Sequence, residues 1–353
     1  MLTILATIFV LGVLIFIHEL GHFVIAKRVG IRVDRFSLGF PPNIFSRRIG
    51  DTEYCIGVIP LGGYVKMAGE QPNEEATGSP DEFMSKSVAQ RAAVIFAGPF
   101  MNYILAILLL AGIFFFGGRA LVDETRVLVG EVTPDGPAAL AGLAEGSEIV
   151  AINGESVSHF DSLRVRINAR VEESVEVTWV YEGDTITKSI TTMASPMPNL
   201  EGGVDTVGII GFQQKIIGYE RYGFGESIAR GFVTTHELVY LTVRFVKQLV
   251  TAQVSVKMIG GPLFIAQQSG REAEKGAASL FFFMALLSVN LAVLNILPIP
   301  VLDGGHLVFL AIEKIKGSPV SIRARMIAQQ VGVVLLLSLI LLVTYNDVLR
   351  VLG

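Results

Sequence analysis

The sequence has one cysteine, Cys55, in 353 residues, so no intrachain disulfide framework exists, and a lone thiol reads as a small buried apolar side chain. Charge is scarce. Charged residues make up 17% of the chain against 51% hydrophobic, with a mean hydropathy of +0.58. That is too apolar for a typical soluble protein and too charged for a chain that lies wholly in a bilayer. The net charge of -4 lacks the basic excess of a nucleic-acid binder, which excludes nucleic acid as a partner. The first sixteen residues, MLTILATIFVLGVLIF, hold no charge at all. They have the position of a signal peptide but lack its basic start and small-residue cleavage site, so the segment is expected to be retained.

Four runs approach the ~20 apolar residues that cross a bilayer. They are Leu2 to about Ala26, about Ala92 to Gly117, about Ala277 to Pro300 and about Ile327 to Val343. Lys27, Arg28, Arg32, Arg35, Arg47, Arg48, Lys66, Lys86 and Arg91 lie between the first two. Lys314, Lys316, Arg323 and Arg325 lie between the last two. Short basic connections stay in the cytoplasm, which sends both termini and the long middle segment outside. The division expected is 1–117, two spans with a hairpin region; 118–215, a soluble domain; 216–276, a connector; and 277–353, two more spans.

The middle segment carries strand and turn punctuation. SVEVTWVYEGDTITKSITT alternates as a hairpin with its turn at Glu182-Gly183-Asp184. GPAALAGLAEGSEIVAINGE resembles a bacterial PDZ domain, and one such domain is visible. PDZ domains add an extended peptide to a sheet edge. VGIIGF, Val207 to Phe212, is the strand expected to take a peptide C-terminus, or else a plain strand with no ligand. Between Gly223 and Val250 the apolar positions recur at helical spacing with charges between them, predicting an amphipathic helix packed on the domain or at the outer membrane face.

Against this background FIHELGH, residues 16–22, is out of place. His18 and His22 are four apart and share a helical face, so both can grip one metal ion. Glu19 follows the first and can serve a water there as general base. Three ionisable groups inside a membrane span are costly and point to function. Two histidines leave a catalytic zinc one protein ligand short. NILPIPVLDGGH, Asn295 to His306, offers Asp303 or His306 after Pro298 and Pro300, which break the third span. At ~1.5 Å per residue His18 lies about 24 Å along the first helix, toward the cytoplasmic end of a ~30 Å hydrocarbon layer. The third span also runs inward and Asp303 closes it, so both motifs reach one leaflet.

These motifs resemble those of the site-2 proteases, intramembrane zinc metalloproteases, and within them the bacterial group containing the regulator of sigma-E protease. HELGH and NILPIPVLDGGH match the two metal motifs, GVIPLGGYVKM (Gly57 to Met67) a membrane-associated β-hairpin, and FAGPFMN (Phe96 to Asn102) the opening of the second span. One PDZ domain is visible where the best-known member has two. The resemblance implies that His18, His22 and Asp303 bind Zn2+ and that Glu19 is catalytic. It also implies that Asn290 and Asn295 hold the substrate backbone, for which helix–helix hydrogen bonding is the structural alternative. Gly62 and Gly63 are expected to let the hairpin pair with an unwound substrate, or simply to form a tight turn.

The fold class expected is therefore a polytopic α-helical membrane protein of four transmembrane helices. It carries a membrane-associated β-hairpin and an inserted extracytoplasmic PDZ domain of α+β type. The function implied is cleavage of transmembrane helices of single-pass proteins in a bacterial inner membrane, with anti-sigma factors and signal-peptide remnants as substrates. A PDZ-bearing scaffold with a vestigial metal site is the alternative, and an intact Glu19 speaks against it. A transporter would show a duplicated half, which is absent.

Overall fold

The computed structural model describes residues 1–70, 78–198, 204–254 and 259–352. Two compact units emerge, one formed by Met1–Phe114 with Gly223–Gly353, the other by Phe115–Tyr222.

The first unit opens with α1 (Leu2–Arg28), whose last turn carries Lys27 and Arg28, the favourable sign for a helix C-terminus. Gly30, at φ +73, breaks the helix and leads into β1 (Val33–Ile49) and β2 (Thr52–Met67), joined at Gly50 with φ +61. The pairing is more than a simple hairpin. Arg35–Leu38 lie between two segments of β2, with Glu53–Ile56 on one side and Gly63–Lys66 on the other. α2 (Val88–Gly117) packs directly on α1, because a Cβ at Gly21 would strike the Ala97 carbonyl. Pro99 sits inside α2 without ending it.

The second unit comprises β3 (Arg119–Val122), β4 (Val127–Val132), α3 (Pro137–Leu140), β5 (Glu148–Ile152) and β6 (Glu155–Ser156). It continues with α4 (Phe160–Asn168), β7 (Ser174–Tyr181), β8 (Asp184–Thr191), β9 (Met193–Pro198), β10 (Val204–Ile209), β11 (Phe212–Gln214) and β12 (Ile216–Glu220). The main sheet runs β11-β4-β5-β7-β8, while β9 pairs with β10 and β3 with β12. The β7–β8 hairpin closes at Tyr181 and Asp184 through Glu182 and Gly183, both at positive φ, the two-residue turn that matches strand twist. Trp179, Val127, Val129, Ile149, Val175 and Val177 fill a core against Leu163 and Ile167 of α4. A groove of about 260 Å³ lies between α4 and Ile209–Phe212, along the segment expected to take a peptide.

The first unit resumes with α5 (Phe224–Val250), α6 (Pro262–Lys275), α7 (Ala277–Ile296), α8 (Asp303–Lys316) and α9 (Ile322–Leu352). The amphipathic helix predicted over this stretch is α5. Leu238 and Val239 pack among Ala106, Leu110, Ala285 and Val289 of α2 and α7, and Gly231 meets the Ile107 carbonyl. α6 is capped from α9: Asp347 accepts the N–H groups of Gly261 (3.1 Å) and Phe264 (3.0 Å).

Among the described residues, four helices are long and apolar enough to cross a membrane: Leu2–Arg28, Val88–Gly117, Ala277–Ile296 and Ile322–Leu349. They correspond to the four runs read from the sequence. α7 ends at Ile296, and Leu302 is extended before α8 begins at Asp303. The prolines at 298 and 300 thus do end the span. Gly304 and Gly305 allow the return: a side chain at Gly304 would strike the carbonyls of Ile296 and Leu297.

Candidate metal centre

α1 presents His18 and His22 one turn apart, with their Nε2 atoms 3.2 Å from each other. The start of α8 brings Asp303 Oδ2 to 3.2 Å from His18 Nε2 and 3.7 Å from His22 Nε2. All three donor atoms lie within 4.8 Å of one another, the one such group among the described residues. His306 lines the same cavity but stands outside this group. Of the two candidates in the second motif, Asp303 is the one the fold gathers with the histidines.

Neighbours orient the rings. His22 Nδ1 lies 2.8 Å from the Val94 carbonyl oxygen of α2. A carbonyl only accepts, so Nδ1 carries the proton and Nε2 turns its lone pair toward Asp303. His18 Nδ1 faces the Asn102 amide at 3.4 Å. Asn102 is fully buried, and its Oδ1 has no hydrogen-bond partner among the described residues. Gly98 lets α2 come this close, since a Cβ there would strike His22 Nε2 and lie 2.8 Å from His18 Cε1.

The fit to a cation follows from the donors. Asp303 Oδ2 is buried without a hydrogen-bond partner among the described residues. An orphaned carboxylate oxygen facing the Nε2 atoms of both imidazoles, His22's with its lone pair exposed to it, is a donor set that a divalent cation completes. The set is three protein ligands of nitrogen and oxygen type, the number a catalytic zinc uses.

Glu19 lines the same cavity of about 240 Å³, with Tyr64 and Val65 of β2 on one wall and Phe309 and Arg325 on another. Its carboxylate accepts the backbone N–H of Val65. β2 lies against α1 because residue 63 is glycine: a Cβ there would stand 2.8 Å from the Ser37 carbonyl and 3.3 Å from Glu19 Cγ. Gly62 instead packs under the Phe40 ring. Both glycines thus lie within β2, Gly63 paired with Leu38, and the sharp reversal is at Gly50.

The two asparagines sit away from the cavity wall. Asn290 Oδ1 accepts a hydrogen bond from Thr242 of α5 at 2.9 Å. Asn295 is half-buried, and its side chain makes no hydrogen bond among the described residues. Val94, Gly98, Asn102 and Arg325 were not singled out from the sequence as site residues. The signal for Gly98 and Asn102 was FAGPFMN, whose position in the second span matched a motif without disclosing what it touches; Val94 lies just before it.

The peptidase family M50 model matches residues 6–339. The chain belongs to peptidase family M50. Among its M50 relatives, the regulator of sigma-E protease RseP of Escherichia coli is 32% identical, covering 96% of this chain and 97% of that protein. An Agrobacterium fabrum protein named "putative zinc metalloprotease" is 34% identical over 98% of this chain and 95% of its own length. The resemblance to site-2 proteases is borne out by these matches. The PDZ domain of an SdrC-like protein from Listeria innocua aligns with 27% of this chain and 99% of its own, at 22% identity and a TM-score of 0.21.

Proposed function

We propose that this M50 peptidase is an intramembrane zinc endopeptidase that cuts transmembrane helices. The observation that carries this reading is the convergence of His18, His22 and Asp303 beside Glu19, on helices apolar enough to lie in a bilayer. A bound zinc supplies a Lewis acid that activates water at neutral pH. Glu19 accepts the proton of the attacking water and returns one to the leaving amine. A helical substrate has its carbonyls occupied internally and must unwind. Gly63–Lys66 pair with β1 on one side, and the edge toward the cavity offers an unwound segment a partner strand. Asn295, with its free amide, is a second candidate for holding that segment. Asn290 does so only by giving up Thr242.

In this reading the chain spans a bacterial inner membrane, with both termini and residues 115–222 extracytoplasmic. The second unit acts as a PDZ domain whose α4 groove takes a peptide C-terminus or which excludes bulky substrates. The substrates in this reading are single-pass membrane proteins of anti-sigma factor type and signal-peptide remnants; the RseP relative's name links that protein to sigma-E regulation.

The purified protein in lipid is expected to hold about one zinc per chain and to cut a single-span helical substrate, with chelation abolishing cleavage and zinc restoring it. Undiminished cleavage by fully metal-stripped protein would refute the assignment.

Asn102 belongs to the same machinery as a positioning residue. With its amide turned over, Oδ1 accepts from His18 Nδ1–H, which satisfies the orphaned oxygen and fixes the Nε2 lone pair on the metal side. Asn102→Leu is expected to weaken zinc binding ~10- to 100-fold, the usual cost of losing a partner behind a ligand, as read by competition with a chromogenic chelator. Unchanged affinity would reduce Asn102 to a packing residue.

A further inference from the structure

Where α2, α8 and α9 meet, two guanidinium groups share one carboxylate. Arg91 takes both Glu313 oxygens, at 3.1 and 2.5 Å, and donates Nε–H to the Lys86 carbonyl at 3.1 Å. Both side chains are buried. Arg325, in the first turn of α9, reaches Glu313 Oε2 only at 3.6 Å. Its Nε and Nη2 are enclosed without a hydrogen-bond partner among the described residues. Glu313 is the carboxylate within ion-pair distance of either arginine among the described residues. Two positive charges on one negative leave a surplus of one, and Arg325, half-buried with 19% of its side chain exposed, carries it on the cavity wall. A half-buried guanidinium without a full counter-charge favours an anion.

The location indicates which anion. Arg325 and Gln329, one turn apart on α9, line the same cavity as His18, Glu19, His22 and Asp303. Peptide hydrolysis consumes one water and converts one amide into one carboxylate and one ammonium. The carboxylate is the anion made in this cavity at every turnover. A guanidinium is donor-only and forks onto two oxygens, which suits a carboxylate better than a neutral carbonyl.

We propose that Arg325, supported by Gln329, is the subsite that receives the newly formed C-terminal carboxylate of the cleaved fragment. The inference rests on the proteolytic reading above and extends it from the cut to the release of product. Arg325 acts on the fragment and not on the metal, so its loss leaves the zinc trio intact.

Binding tests this without turnover. The probe is a fluorescent apolar Leu/Ala peptide of one membrane span, made with either a free C-terminal carboxylate or a carboxamide. The full chain is placed in phosphatidylcholine nanodiscs. The acid form is expected to bind about tenfold tighter than the amide, as charge-assisted pairing requires. Arg325→Gln is expected to bring the ratio to about one while leaving amide binding and zinc content unchanged, and Arg325→Lys to keep part of the preference. An acid form binding no tighter than the amide in the wild type, including no measurable binding of either, overturns the subsite. So does an undiminished preference in Arg325→Gln, or equal weakening of both peptides, which would mark a purely structural tie to Glu313. Loss of the wild-type preference on substituting phosphatidylglycerol assigns the site to a lipid phosphate and also overturns it. A protein that binds the acid form selectively but cuts no helix would refute the protease reading and leave the subsite standing.

Discussion

Glu19→Gln is expected to keep the fold and about one zinc per chain while cleavage of a helical substrate falls by ~10²- to 10⁴-fold, the range supplied by a positioned general base. The substitution is close to isosteric. The amide oxygen of glutamine still accepts the Val65 N–H that the carboxylate accepts now, so β2 stays seated on α1. The close packing of Gly63 against Glu19 Cγ is unchanged as well, because it involves a methylene that glutamine shares. What is lost is basicity: an amide has no lone pair able to hold a proton at neutral pH. The measurements are zinc content by elemental analysis and cleavage of the same substrate side by side. Near-normal cleavage by a zinc-loaded Glu19→Gln protein would remove Glu19 from the mechanism, and loss of zinc together with activity would recast it as part of the metal environment.

The contrast between what could be read early and late has a physical basis. The His18–His22 pair was legible because helical periodicity alone places residues four apart on one face. The end of α7 was legible because proline cannot extend a helix, so Pro298 and Pro300 had to precede a reversal. The β7–β8 turn was legible from Glu-Gly flanked by alternation. Each of these is written in a few adjacent residues. Val94 and Asn102 meet their histidines across separations of 72 and 84 residues, and no local pattern encodes that meeting. The polarity of α5 invited a surface reading, yet Leu238 and Val239 find α2 and α7, and the Thr242 hydroxyl finds Asn290. Arg325 looked like one of several basic residues fixing orientation. Its distinction, two enclosed donors without a partner among the described residues, exists only once Arg91 has claimed Glu313.

Asp303→Ala is expected to abolish stoichiometric zinc and activity together, with affinity falling by more than the ~10²-fold that loss of a supporting partner can cost. Asp303 is the anionic member of the trio, and without it two neutral imidazoles hold a doubly charged ion. Its place in α8 is fixed by backbone. Gly304 and Gly305 press against the Ile296, Leu297 and Ile299 carbonyls, so α8 cannot slide to bring another ligand into register. His306, three residues on, lines the cavity but is not gathered with the two histidines, and His306→Ala is expected to leave zinc at about one per chain. Stability gives a second reading. Among the described residues nothing donates to the buried Asp303 Oδ2, so without a cation it would cost about 1–3 kcal/mol. Metal-free Asp303→Ala is therefore expected to be no less stable to denaturant than metal-free wild type, whereas zinc should raise the stability of the wild type and leave the variant unmoved. Full zinc in Asp303→Ala, with loss in His306→Ala, would reverse the assignment. A metal-free variant much less stable than metal-free wild type would show that Asp303 holds α8 in place by contacts other than the ion.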